Sequence, residues 1–145
     1  LVIVIMCNHC PYVHAVDDRL VQLQEKFAER NVQLVGINPN DGIKYPDDNF
    51  KNMIKRAEEK GYNFPYLRDE DQSVAKKYQA QCTPDIYVYN KERELCYHGQ
   101  IDDNWQHPEK VISHDLSDAI EALLEGNKPS SGQYPSMGCS IKWKE

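Results

Sequence analysis

Six consecutive apolar residues, Leu1-Val2-Ile3-Val4-Ile5-Met6, run directly into Cys7-Asn8-His9-Cys10-Pro11, and beyond that turn the hydrophobic period changes. An unbroken Val/Ile-rich run of this length predicts a strand covered on both faces. Val13, Val16, Leu20, Leu23 and Phe27 then fall on one helical face, opposite Asp17, Asp18, Gln24, Glu25 and Arg30. Pro11 suits the first turn of that helix, where its missing N–H costs nothing. Asn31 ends the helix, and Val32-Gln33-Leu34-Val35-Gly36-Ile37 reads as a second strand. Strand, helix and strand in so short a stretch make a βαβ unit with parallel strands and a right-handed crossover. The two cysteines therefore sit at a strand-to-helix junction, with Cys7 at or just before the helix N-terminus.

The rest of the chain extends this unit. Asn38 to Asp48 is rich in Pro, Gly and Asx residues and reads as a loop. Phe50, Met53, Ile54 and Ala57 form a helical stripe that Gly61 stops, and Phe64 to Leu67 is extended. Asp69 or Asp71 caps a helix carrying Val74, Ala75 and Tyr78. Ile86 to Tyr89 and Glu94 to Gln100 flank a polar turn and predict an antiparallel hairpin. Residues 102–112 are irregular, and Leu116, Ile120, Leu123 and Leu124 mark a last helix that ends at Gly126. The expected class is α/β, a buried sheet with helices on both faces. Residues 1–128 form one domain, and residues 129–145 form a tail packed on it. Because the chain opens in mid-strand, a preceding segment is expected, and any signal or anchor would lie there.

Composition narrows the function. Lys+Arg number 17 against Asp+Glu 23, a net charge of −6, which opposes phosphate-tracking contact with nucleic acid. No apolar run approaches the roughly 18–20 residues of a membrane span. The cytoplasm is favoured, and membrane insertion by this chain is not expected. With 145 residues a core can form without metal or disulfide staples, so the five cysteines need another explanation.

Disulfide exchange is carried by the thiolate, and a free thiol with a pKa near 8.5 supplies little of it at neutral pH. A helix N-terminus offers partial positive charge and unpaired N–H groups that stabilise S⁻. On this basis Cys7 is the exposed candidate nucleophile and Cys10 the partly buried resolving thiol. His9 adds a cation beside Cys7, which makes the pair more oxidising. A structural zinc site would need about four ligands. Cys82, Cys96, Cys139, His14, His98, His107 and His114 provide no second close pair. A metal-binding module, such as a copper carrier using Cys7, Cys10 and His14, is the alternative from a different class.

The motif Cys7-Asn8-His9-Cys10-Pro11-Tyr12-Val13, followed by Cys82-Thr83-Pro84-Asp85 and Gly138-Cys139-Ser140-Ile141-Lys142-Trp143, resembles the thioredoxin-like, peroxiredoxin-related redoxins of the alkyl hydroperoxide reductase/thiol-specific antioxidant superfamily. The resemblance spans essentially the whole chain. It implies a thioredoxin-like fold with a central mixed sheet flanked by helices, lacking its opening β segment. It also implies an insertion over Asn38–Ala80 and a cis Thr83–Pro84 turn facing the cysteines. Thr83 would offer its backbone to an extended substrate. The implied activity is thiol–disulfide oxidoreduction without a cofactor. Its partners would be protein or small-molecule disulfides together with a reducing or oxidising redox protein.

Some residues depart from the family pattern. Met6 stands where thioredoxins carry Trp, and residues 1–6 hold no carboxylate, leaving Asp85 as the nearest sequence candidate for a proton acceptor. Val4 stands three residues before Cys7, where peroxidases keep Thr or Ser, and Ala80 to Asn90 contains no Arg. A thiol-dependent peroxidase is thus the second reading. Cys82 is a possible third redox thiol, a partner for Cys139 or an inert side chain. Cys96 is expected in the core. Cys139 either swings to another thiol or packs beside Ile141 and Trp143. Asp47-Asp48 and Asp102-Asp103 are expected to be solvated.

Overall fold

The computed structural model describes residues 1–130 and 132–145. Its main sheet has five strands in the order β3-β2-β1-β5-β6. β1 (Val2–Ile5) pairs in parallel with β2 (Leu34–Asn38), which pairs in parallel with β3 (Tyr66–Arg68). On its other edge β1 runs antiparallel to β5 (Asp85–Tyr89), and β5 antiparallel to β6 (Leu95–Gly99). The helices are α1 (Pro11–Phe27), α2 (Phe50–Lys60), α3 (Ser73–Tyr78) and α4 (Asp115–Leu124). A second, two-stranded sheet joins β4 (Cys82–Thr83) to β7 (Cys139–Ser140). This is the thioredoxin-like α/β architecture, a mixed central sheet flanked by helices.

β1 is apolar throughout because both of its faces are covered. Val2, Val4 and Met6 point into a core shared with Val13, Val16, Leu20 and Phe27 of α1 and Leu116, Ala119 and Ile120 of α4. Ile3 and Ile5 point the other way, against Ala75, Tyr87 and Ile141. Alternation along one strand thus divides the interior into two cores. Leu20 is fully buried, so Leu20→Ala should destabilise the fold by about 2–5 kcal/mol, read as a lower urea midpoint with an unchanged m-value.

Several local expectations are refined. α1 stops at Phe27, and a 3-10 turn (Ala28–Arg30) carries the chain to Asn31 in the left-handed region at φ 62°. Both aspartates before α3 serve it: Asp69 accepts from the Val74 and Ala75 amides, and Asp71 from the Ser73 amide. The α2 stripe is narrower than its spacing suggests. Met53 is buried, whereas Phe50 is 56% and Ile54 48% exposed. Asp102 is buried rather than solvated and is paired with Arg19 at 2.7 Å. Cys96 is half-buried at the sheet edge, outside the core. The tail packs along the domain: Gln100 N donates to Tyr134 O, Ile141 is buried, and Asp41 N donates to Lys142 O. Among the described residues, no helix is long and apolar enough to cross a membrane.

Candidate active site

The end of β1, the start of α1, the Thr83–Pro84 turn and β7 converge on one cluster of sulfur atoms. Pro11 occupies the first helical position, so the N-cap is Cys10 and not Cys7. Cys7 lies further back, where the chain leaves β1. Both thiols are free and both are buried, Cys7 at 1% and Cys10 at 0% exposure, which corrects the expectation of an exposed Cys7. Thr83 touches both sulfurs. Its hydroxyl lies 3.3 Å from Cys7 Sγ, and its carbonyl oxygen 3.3 Å from Cys10 Sγ. The Thr83–Pro84 peptide is cis.

The two thiols sit in opposite electrostatic surroundings. Hydrogen bonding with Cys7 and then Cys139, and the Val13 and Cys139 amides, hold Cys10 well below the ordinary thiol range, against the opposing effect of burial. The same Cys7–Cys10 hydrogen bond, together with burial and the Asp48 carboxylate, pushes Cys7 upward. The surroundings thus favour ionisation of Cys10, at the helix N-cap, over that of Cys7.

Asp48 is the residue that the sequence did not reveal. It was expected in solvent, but it is fully buried beneath Cys7. Its Oδ1 accepts from Asn8 N at 2.6 Å and Asn38 Nδ2 at 3.2 Å, and its Oδ2 from Asn40 Nδ2 at 3.0 Å. His9 Nδ1 also pairs with it. The expected partner of Cys7, His9, is thus turned toward a carboxylate and lies parallel to the Tyr45 ring. Tyr66 closes the network by donating to Asn8 Oδ1 at 2.7 Å. The signal that was available is a set of short polar residues (Asn8, Asn38, Asn40) adjoining two strand ends, each with amide donors that need a buried acceptor.

Asp85 does not reach the pair. Alternation along β5 sends Ile86 and Val88 into the cysteine-side core and Tyr87 to the other face. The Asp85 carboxylate accepts from Tyr87 Oη at 2.9 Å and pairs with His98 Nε2 at 2.8 Å. Cys82 lies at the rim, with its thiol pushed up to about 11 by burial and the charge of Asp85. His14 is exposed, and its Nε2 is bonded to the Asn8 carbonyl, so Cys7, Cys10 and His14 are not gathered around one point. The metal-capable group among the described residues is Cys7, His9 and Asp48, whose ligand atoms lie within 4.8 Å of one another.

β7 fills the edge of β4. Thr83 stands opposite Cys139 and Cys82 opposite Ser140. Gly138 permits this approach, since a Cβ there would collide with the Thr83 carbonyl oxygen. The backbone edge expected to await a substrate is therefore occupied by the chain's own tail. Cys139 Sγ lies 2.6 Å from Cys10 Sγ.

The thioredoxin-like fold thus holds the Cys7–Cys10 pair against the Thr83–Pro84 turn. The model of the AhpC/TSA family matches residues 1–98, and the chain belongs to that family. It is 47% identical to an uncharacterised conserved protein from Geobacillus kaustophilus, over 99% of this chain and 76% of that one, with a TM-score of 0.92. A thioredoxin-like protein solved in its oxidised form is similar at TM-score 0.69 and 16% identity, over 88% of this chain and 78% of that one. A secreted disulfide oxidoreductase from Mycobacterium tuberculosis is similar at TM-score 0.60 and 18% identity, over 86% of this chain and 79% of that one. A search of curated proteins finds no match. Fold and family support a redox function, as a thiol oxidoreductase or a peroxidase.

Proposed function

We propose that the protein is a thiol–disulfide oxidoreductase in which Cys7 and Cys10 cycle between dithiol and disulfide. The observation that carries this reading is that Thr83, beside a cis proline, touches both sulfurs of the buried Cys7–Cys10 pair. In the oxidised protein a substrate thiolate attacks Cys7 Sγ, the Cys7–Cys10 bond breaks, and Cys10 leaves as the stabilised thiolate. A second substrate thiolate then releases Cys7. The substrate becomes a disulfide, and the protein keeps the two electrons. A low-pKa leaving group speeds the first step, and stabilising the reduced form makes the pair more oxidising. In the reverse direction Cys7 passes its proton to Cys10 as it attacks a substrate disulfide, and Cys10, deprotonated again, resolves the mixed disulfide. Thr83 and Pro84 would line the substrate's path, which opens when the two-residue strand β7 leaves β4.

Peroxidase chemistry has less support. Val4 supplies no hydroxyl, Arg93 lies in the exposed β5–β6 turn, and no arginine hydrogen-bonds either sulfur among the described residues. A metal reading must use Cys7, His9 and Asp48, yet the Asp48 oxygens already serve three asparagine donors and His9. Disulfide exchange on a model protein disulfide, supplied with a dithiol reductant, tests the proposal. Turnover well above the reductant alone is expected, and no acceleration would refute it.

The pH dependence follows from the Cys10 shift. A depressed pKa means that the reduced protein binds about one proton near neutrality, not two. Its stabilisation is present above the ordinary thiol pKa and is lost as pH falls through the folded pKa of Cys10. The reduction potential should therefore fall by roughly 30 mV per pH unit around neutrality and by about 60 mV per unit below that pKa. A uniform slope of about 60 mV through neutral pH would place two ordinary thiols here.

A further inference from the structure

We infer that Cys139 is a third redox residue, an internal disulfide partner of Cys10 delivered by the chain's own tail strand. Three observations carry this. Cys139 Sγ touches Cys10 Sγ, at 2.6 Å, and both thiols are free. β7 pairs antiparallel with β4 and sets Cys139 opposite Thr83, the residue that touches both Cys7 and Cys10. Gly138 lets the two backbones meet so closely that a side chain there would collide with the Thr83 carbonyl. The tail thus presents a cysteine to the pair on an added strand, which is how an extended substrate would present one. Cys82, opposite Ser140 in the same ladder, is left outside this arrangement.

The step is an isomerisation and needs no outside oxidant. It rests on the dithiol–disulfide cycle proposed above. Starting from the Cys7–Cys10 disulfide, the Cys139 thiolate attacks Cys10 Sγ. The Cys10–Cys139 bond forms and the Cys7–Cys10 bond breaks. Cys7 leaves with the electron pair and takes up the proton that Cys139 gave up. Two sulfurs are oxidised before and after, and the exchange is reversible. The product clamps β7 onto β4 beside Thr83 and leaves Cys7 a free thiol, so the molecule holds its oxidising equivalents with the substrate edge closed.

Oxidation of the whole chain with glutathione disulfide, acid quenching, alkylation and peptide mapping test this. The expected result is two populations, one with Cys7 linked to Cys10 and one with Cys10 linked to Cys139 and Cys7 alkylated. In Cys139→Ser, alkylated Cys7 should fall to background and only the Cys7–Cys10 link should remain. In Cys82→Ser both populations should persist. Oxidised wild-type protein holding the Cys7–Cys10 link alone would overturn the inference, as would loss of the Cys10–Cys139 link in Cys82→Ser. Absence of any Cys7–Cys10 link in folded Cys139→Ser would instead overturn the oxidoreductase proposal on which the inference rests.

Discussion

Replacing Cys7 by serine is expected to reduce disulfide exchange to the uncatalysed background, because a hydroxyl neither opens a disulfide nor accepts a thiolate's attack as sulfur does. Cys10→Ser should behave differently. Cys7 still forms the mixed disulfide, but the neighbouring thiolate that resolves it is gone. A covalent adduct of protein and substrate should therefore accumulate on a non-reducing gel. Cys139→Ser keeps both members of the pair and should retain exchange. Full exchange by Cys7→Ser would contradict the assignment of roles, and a Cys10→Ser protein that turns over without trapping substrate would contradict the resolving step.

The second large effect belongs to Asp48. Asp48→Ala removes the acceptor shared by Asn8 N, Asn38 Nδ2 and Asn40 Nδ2 and leaves these donors unpaired in a dry interior. Breaking a buried charged network in this way costs roughly 3–5 kcal/mol. At roughly 2–8 °C per kcal/mol for domains of this general size, the loss is readily seen by thermal unfolding. Asp48→Asn separates charge from shape. It keeps a carbonyl acceptor but removes the negative charge that disfavours the Cys7 thiolate, so the Cys7 pKa should fall. The thiolate ultraviolet absorbance as a function of pH, in a Cys82→Ser/Cys96→Ser/Cys139→Ser background, measures the change. An unchanged or raised Cys7 pKa would show that the carboxylate charge does not act on that sulfur.

What the sequence disclosed and what it concealed have separate physical causes. β1 and α1 are legible because their patterns are local: an unbroken apolar run, then a stripe of period 3.6 beginning after Pro11. The cysteine pair is legible for the same reason, since its position depends on the element boundary. The cap residue, however, is not Cys7. Pro11 at the first helical position makes Cys10 the N-cap, and the thiolate-stabilising groups go with it. Asp48 and Cys139 are not local features. Asp48 lies 40 residues from Asn8 in the chain, and its burial depends on asparagines at the ends of two strands. A carboxylate in a stretch of Asp, Asn and Pro otherwise looks like a solvated loop. Cys139 is separated from Cys10 by 129 positions, so no pattern within the tail could announce the contact. Asp85 failed as the pair's carboxylate for a reason alternation could have supplied: if Ile86 faces the cysteines, Asp85 must face away.

The opposite surroundings of Cys7 and Cys10 also bear on direction. In the proposed cycle, surroundings that favour Cys10 ionisation stabilise the reduced form, so the pair would lean toward forming disulfides in its substrates. The depth of the site and the closure of its edge by β7 would restrict that chemistry to partners able to displace a short strand.

The central claim is that Cys7 and Cys10 form one two-electron redox pair. Equilibrating the folded Cys139→Ser protein with graded ratios of reduced and oxidised glutathione, then trapping and mapping every thiol, tests it most directly. The account predicts one cooperative two-electron transition in which Cys7 and Cys10 lose alkylation together, while Cys82 and Cys96 stay alkylated throughout. Cys7 remaining alkylated while Cys10 is oxidised, or no transition across the glutathione range, would contradict it.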